Sequence, residues 1–175
     1  MASTNWTFLA IPHQDELQVW HLLGTPKCVS RVTPESLGQK APITAWRFVN
    51  DDRMVIGHRD GGITLYDCRK NEVIERQKHA YESVQSVANC EKEGKVVVYF
   101  GTKGIVVDEK NLSIKDQFPL GKKQTVQITS VSLSEQAVIE CFGNTAQIRG
   151  LKDKQLLPLK VSASQKITAC HWIDK

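Results

Sequence analysis

Four short segments of this chain repeat one pattern at a nearly constant spacing, and that spacing limits the folds open to it. The segments are Pro42-Ile43-Thr44-Ala45-Trp46, Ser83-Val84-Gln85-Ser86-Val87, Gln127-Ile128-Thr129-Ser130-Val131 and Lys166-Ile167-Thr168-Ala169-Cys170. Each has a β-branched apolar residue, a polar residue, a small residue and then a larger apolar one. Their starts lie 41, 44 and 39 residues apart. A period of this length describes stacked copies of one supersecondary unit, each burying its apolar faces against its neighbours.

Every unit continues in the same order. After a turn such as Asn50-Asp51-Asp52 comes an apolar run: Met54–Gly57, Val96–Gly101 and Ala137–Gly143. Continuous apolar runs bounded by turns read as strands buried on both faces. A third run alternates more clearly, at Ile63–Tyr66, Ile105–Val107 and Gln147–Arg149. A fourth is more polar, at Val73–Arg76, Ser113–Asp116 and Leu156–Leu159, as an exposed edge requires. No segment of ten residues keeps apolar positions at helical spacing without a Gly or Pro nearby, so the sequence predicts an almost all-β chain.

Composition excludes several classes. Hydrophobic residues make up 41% and charged residues 24% of the 175, the balance of a globular domain rather than a disordered chain. The net charge of +4 falls entirely after residue 100, where 11 basic residues face 7 acidic ones. Such a tilt suits an acidic partner or a nucleic-acid backbone, or is a solvated surface with no partner. The five cysteines form no CxxC pair, so neither a zinc site nor a disulfide framework is expected. With no signal h-region and no run of transmembrane length, a cytoplasmic or nuclear location is expected, with no membrane partner.

The central stretch of the second unit, Gly57-His58-Arg59-Asp60-Gly61-Gly62-Ile63-Thr64-Leu65-Tyr66-Asp67, resembles a WD repeat. Tyr66-Asp67 stands where the family's Trp-Asp dipeptide would be. The first unit keeps Asp15 and Trp20 but ends in His21. The third gives Val107-Asp108, and the fourth has lost the dipeptide. The period matches WD repeats, while the individual motifs are degraded. The resemblance implies a WD40-type β-propeller of about four four-stranded antiparallel blades, either a partial or half propeller or a small closed ring. It spans residues 1–175 as one domain, with units near 5–41, 42–82, 83–126 and 127–165. A closing strand over 166–173 would complete the first unit, whose chain is expected to enter within a second strand at Trp6–Ile11. A half ring would need a second copy or another propeller-forming chain.

The resemblance also assigns roles. Asp15, Trp20, Asp60, Tyr66, Asp67 and His79 are expected to be structural, with Asp60, His79 and Tyr66 sharing hydrogen bonds that stiffen a blade. The family's function is to present loops to partner proteins, so a non-catalytic scaffold or complex subunit is expected. The loop face would carry His13, Arg59, Tyr81, Glu82, Lys103, Lys122 and Lys123, with Tyr81 and Arg59 as first anchors. The alternative is a nucleic-acid-associated propeller using Lys103, Lys122, Lys123, Lys152, Lys154 and Lys160. No catalytic residue, metal or cofactor is expected. His13, His21, His58, His79 and His171 form no HxH or HExxH pair, and Gly101-Thr102-Lys103-Gly104 is a turn rather than a phosphate loop.

Overall fold

The computed structural model describes residues 3–4, 7–90, 94–120, 128–132, 137–150 and 156–167. Among these residues there are sixteen strands and no helix. The strands form four sheets, each made of four consecutive antiparallel strands in sequence order. The first sheet holds β1 (Ser3–Thr4), β2 (Phe8–His13), β3 (Glu16–His21) and β4 (Lys27–Val32). The second holds β5 (Ile43–Phe48), β6 (Arg53–His58), β7 (Gly62–Asp67) and β8 (Glu72–Lys78). The third holds β9 (Ser86–Cys90), β10 (Lys95–Tyr99), β11 (Lys103–Asp108) and β12 (Ile114–Pro119). The fourth holds β13 (Ile128–Ser132), β14 (Ala137–Phe142), β15 (Thr145–Gly150) and β16 (Leu156–Ser162). Successive sheets adjoin through their first strands: β1 lies against β5, β5 against β9, and β9 against β13.

The apolar runs have the cause expected of them. Along β6, Met54 and Ile56 enter the core shared with the first sheet, while Val55 enters the core shared with the third. Along β10, Val96 and Val98 face the second sheet, and Val97 and Tyr99 face the fourth. The period of two thus distributes each middle strand between two cores, and neither face is left for polar residues. The last strands alternate instead. In β8, Val73 and Glu75 are half-buried and their neighbours exposed, which is how an outer strand with one solvated face reads.

All four sheets share an irregularity that no sequence pattern announces. The pairing of third with fourth strand slips at Val19/Trp20, Leu65/Tyr66, Val106/Val107 and Gln147/Arg149. Each slip falls at the same place, near the middle of the third strand. A bulge there bends the outer strand and increases the local twist.

One expectation needs correction at the first sheet. The chain does not enter within a second strand: β1 precedes it, with Ser3 opposite Ala10 and Thr4 opposite Leu9. A two-residue strand of Ser and Thr has no apolar alternation to reveal it. The fourth strand of this sheet, β4, agrees with four-stranded units, although no residues were singled out for it. The expected closing strand falls on residues 166–173, of which 168–173 lie outside the described residues. Among the described residues, no helix is long and apolar enough to cross a membrane.

Candidate functional site

In a four-stranded meander, the turn between second and third strands and the link to the next sheet emerge at the same end. Hydrogen bonds join these segments from sheet to sheet. Arg59 N donates to Pro42 O at 2.9 Å, and Val84 N to His58 O at 3.1 Å. Ile167 N donates to Gly143 O at 2.8 Å, so the residue equivalent to Val84 in the repeat is held to the fourth sheet in the same manner. These bonds tie the second sheet's turn to the links on either side of it, and the fourth sheet's turn to Ile167.

Gly61 is the tightest point of that face. Its φ is +84°, and a Cβ there would sit 2.3 Å from the carbonyl oxygen of Ala80. Gly61→Ala is expected to cost about 1–3 kcal/mol, because strain at positive φ is joined by a collision with backbone that cannot swing away. The loop holding Tyr81 and Glu82 must shift to accept it. A lowered urea midpoint, with amide shifts concentrated at residues 79–84, is the expected result.

The expected face residues divide into two groups. His13 ends β2 and is exposed, with Nδ1 3.8 Å from Glu16. Arg59 is exposed, and among the described residues its side chain has no ion pair or hydrogen bond. Tyr81 is 94% exposed and makes a cation–π contact with Lys78, whose Nζ lies 5.2 Å from the ring centre. Glu82 and Lys103 are engaged within the chain. The Glu82 carboxylate accepts from Thr102 N at 2.9 Å and Thr102 Oγ1 at 2.7 Å. Lys103 Nζ donates to His79 O at 3.1 Å and stands 5.8 Å from the Phe100 ring centre. These contacts tie the loop at residues 79–82 to the third sheet. Lys122, Lys123, Lys152 and Lys154 lie outside the described residues.

The expected network of Asp60, His79 and Tyr66 is not assembled; each has separate partners. Asp60 accepts from Gly62 N and from Lys78 Nζ at 2.9 Å, and the Lys78 hydrogen bond holds its carboxyl below the usual range. His79 Nε2 lies 3.0 Å from Leu112 O in the next sheet. The Tyr66 hydroxyl meets Ser30 Oγ at 2.9 Å and also Asn71 Oδ1, linking the first and second sheets. Burial pushes the Tyr66 phenol up. Asp67 caps the turn after β7, accepting from Arg69 N and Lys70 N. Trp20 Nε1 donates to Gln18 at 3.3 Å.

The residue that takes the buried polar role is His58. It ends β6 and is completely buried, with Nε2 2.9 Å from the buried Thr64 hydroxyl and Nδ1 3.4 Å from Ala41 O. Desolvation pushes its imidazole below the usual value. A His closing the apolar run Met54–Gly57 was the available signal.

Between the first and second sheets the loop face opens into a cleft of about 530 Å³. Its wall is the link from Thr33 to Pro42. Thr33 and Ser36 exchange hydrogen bonds there, Leu37 is buried in the core, and Arg76 Nε holds Leu37 O at 2.6 Å. Leu17, Ile43 and Trp46 give the cleft an apolar lining, and Asp15 and Arg59 stand at its turns. The Trp46 indole N–H is buried and has no acceptor among the described residues. An unmet buried donor costs about 1–3 kcal/mol. Trp46 stands where the other repeats carry Val87, Val131 and Cys170, which is the signal the sequence offered.

Among the described residues no group of three His, Cys, Asp or Glu side chains is placed to hold a metal ion. No protein-family model matches the chain, and no curated protein matches it.

Proposed function

We propose that the chain is a WD-type β-propeller array that serves as a non-catalytic interaction scaffold, presenting its loop face to partner proteins. The observation that carries this reading is the arrangement of four antiparallel meanders adjoining through their first strands, with the second sheet's turn hydrogen-bonded to the links on either side of it. A rigid loop platform on a packed scaffold suits recognition, because little order must be gained on binding. Tyr81, almost wholly exposed, and the unpaired Arg59 are the anchors on that platform.

The ends of the array support completion by a second copy or by another propeller-forming chain. On the outward face of the first sheet, Leu9 stands opposite Trp20 and Ile11 opposite Gln18, and Ile11 is 37% exposed. On the outward face of the fourth, Ile139 stands opposite Ile148, both half-buried. Light scattering of the purified chain is expected to give a dimer mass; a compact monomer would contradict the half-ring form. The scaffold role is tested by a pull-down with a Tyr81→Ala, Arg59→Ala double variant. Its thermal unfolding should match the parent chain while partner recovery falls. Unchanged recovery sinks the reading.

A further inference from the structure

We infer that this chain pairs head to tail with a second copy of itself, the outward face of the fourth sheet seating on the outward face of the first. This rests on the reading of the array as open at both ends, and adds which occupant each end takes and in what register. Every sheet has a leading face, turned to the sheet that follows, and a trailing face, turned to the sheet before. One cross-strand pair marks the leading face at a fixed place: Ala10 opposite Val19, Val55 opposite Leu65 and Val97 opposite Val106. These side chains are at most 5% exposed, because the next sheet covers them. The fourth sheet's pair at that place is Ile139 opposite Ile148, and both are only half-buried.

The trailing face has a pair of its own. Met54 opposite Tyr66 and Val96 opposite Val107 lie buried in the first and second junctions. In the first sheet the same place holds Leu9 opposite Trp20, both half-buried, with Ile11 beside them 37% exposed. Each junction within the chain joins a leading face to a trailing one, never two of a kind. The two unmet faces are one of each, so the fourth sheet of one copy continues the series on the first sheet of another.

The chemistry of the two faces agrees. On the leading face of the fourth sheet, β14 and β15 place Ile139, Cys141, Ala146 and Ile148, none of them charged. Such a face excludes a partner that would bury an unpaired charge on it. The polar groups on the first sheet's trailing face already satisfy one another. Trp20 Nε1 donates to Gln18, Gln18 Nε2 donates to Glu16 at 2.9 Å, and the Arg31 guanidinium donates to Glu16 at 2.6 Å. Gln147 holds in the fourth sheet the place of Gln18, and it belongs to a similar chain in which Glu140 and Arg149 are buried against the third sheet. Covering the Gln18 chain therefore strands none of its groups. Two copies joined at both ends place twice four sheets in a closed series, the upper end of the usual range of about 4–8 blades.

The test pairs Ile11→Asp, which spoils the trailing face, with Ile148→Asp, which spoils the leading one. Light scattering should show each variant alone as a monomer, its dimer dissociation constant raised about a hundredfold or more by an unpaired carboxylate in every junction. An equimolar mixture should recover a dimer with one copy of each, seen by native mass spectrometry with one variant isotope-labelled. The mixture still holds one intact leading face and one intact trailing face, and its recovery also shows that both variants fold. Ile114→Asp puts the same charge on the outer strand β12, where Ile114 is 45% exposed, and should leave the mass of the parent unchanged. A dimer that survives either end-face substitution, or a mixture that stays monomeric, overturns the head-to-tail assignment and leaves the open array standing. A monomeric parent chain removes both, while the pull-down with the Tyr81→Ala, Arg59→Ala variant still decides the scaffold reading.

Discussion

Arg149→Met lowers the stability of the chain by about 3–5 kcal/mol, the usual cost of leaving one partner of a buried ion pair alone. Glu140 is fully buried where the third and fourth sheets pack. Arg149 Nε meets one carboxylate oxygen at 2.6 Å and its Nη2 meets the other at 3.2 Å. Gln147 and the Tyr99 hydroxyl add hydrogen bonds at 2.8 and 3.3 Å. The guanidinium also lies over the Phe118 ring, 5.0 Å from its centre. Met fills much of the same space without charge, so the loss isolates the uncompensated carboxylate. The double variant Arg149→Met, Glu140→Leu should recover much of the deficit, since well-packed apolar side chains replace buried ion pairs at little cost. Urea midpoints of the single and double variants decide this. A single variant within 1 kcal/mol of the parent, by the same order-of-magnitude reasoning, would remove the pair from the stabilising core.

The second large effect is a loss of stability in mild acid, with His58 as its source. Burial lowers the folded-state affinity of His58 for a proton, so below its ordinary value of 6.5 the unfolded chain binds more protons than the folded one. Stability is therefore full above about pH 6.5 and falls as pH drops, by up to about 1.4 kcal/mol per pH unit for one proton. Asp60 and Arg76 are the charged groups that act on the ring, in opposite directions. The lowered carboxyls of Glu16, Asp60 and Asp108 add their own losses only in stronger acid, below their ordinary values of 4.5 for Glu and 3.8 for Asp. The two windows are thus separate. His58→Leu should be less stable at pH 8, because Thr64 loses its partner, yet flat between pH 6.5 and 5. An unchanged slope in that variant would exonerate His58.

Sequence reasoning reached the class of fold because double-sided burial leaves a visible trace. Val96–Phe100 and Met54–Gly57 are apolar throughout since each residue faces one core or the other. β4 left no such trace: only Ser30 and Val32 are buried in it, and Ser is not an apolar marker. The candidate site was legible in part. Arg59 and Tyr81 were recognisable as loop residues with strong contact chemistry. The engagement of Glu82 was not, because its partner Thr102 lies 20 residues on, across a sheet boundary. Nor was the Glu140–Arg149 pair, since the two strands must first be set in register: Arg149 stands opposite Val138, and Glu140 opposite Gln147. Long-range pairing of this kind follows from which strands meet and at what offset, which a linear pattern does not record.

Each sheet closes its hydrogen bonds within one contiguous stretch, while every core is shared between two sheets. During synthesis the two kinds of structure therefore mature at different times. A sheet can pair its strands as soon as its own residues leave the ribosome, because the loops to be closed are short. Its apolar faces stay wet until the next sheet emerges, about forty residues or several seconds later at ordinary elongation rates. The growing chain thus always carries one exposed apolar face at its newest end. The interval between one sheet and the next is when chaperones have the most surface to hold, and when a pause in translation would do the most harm.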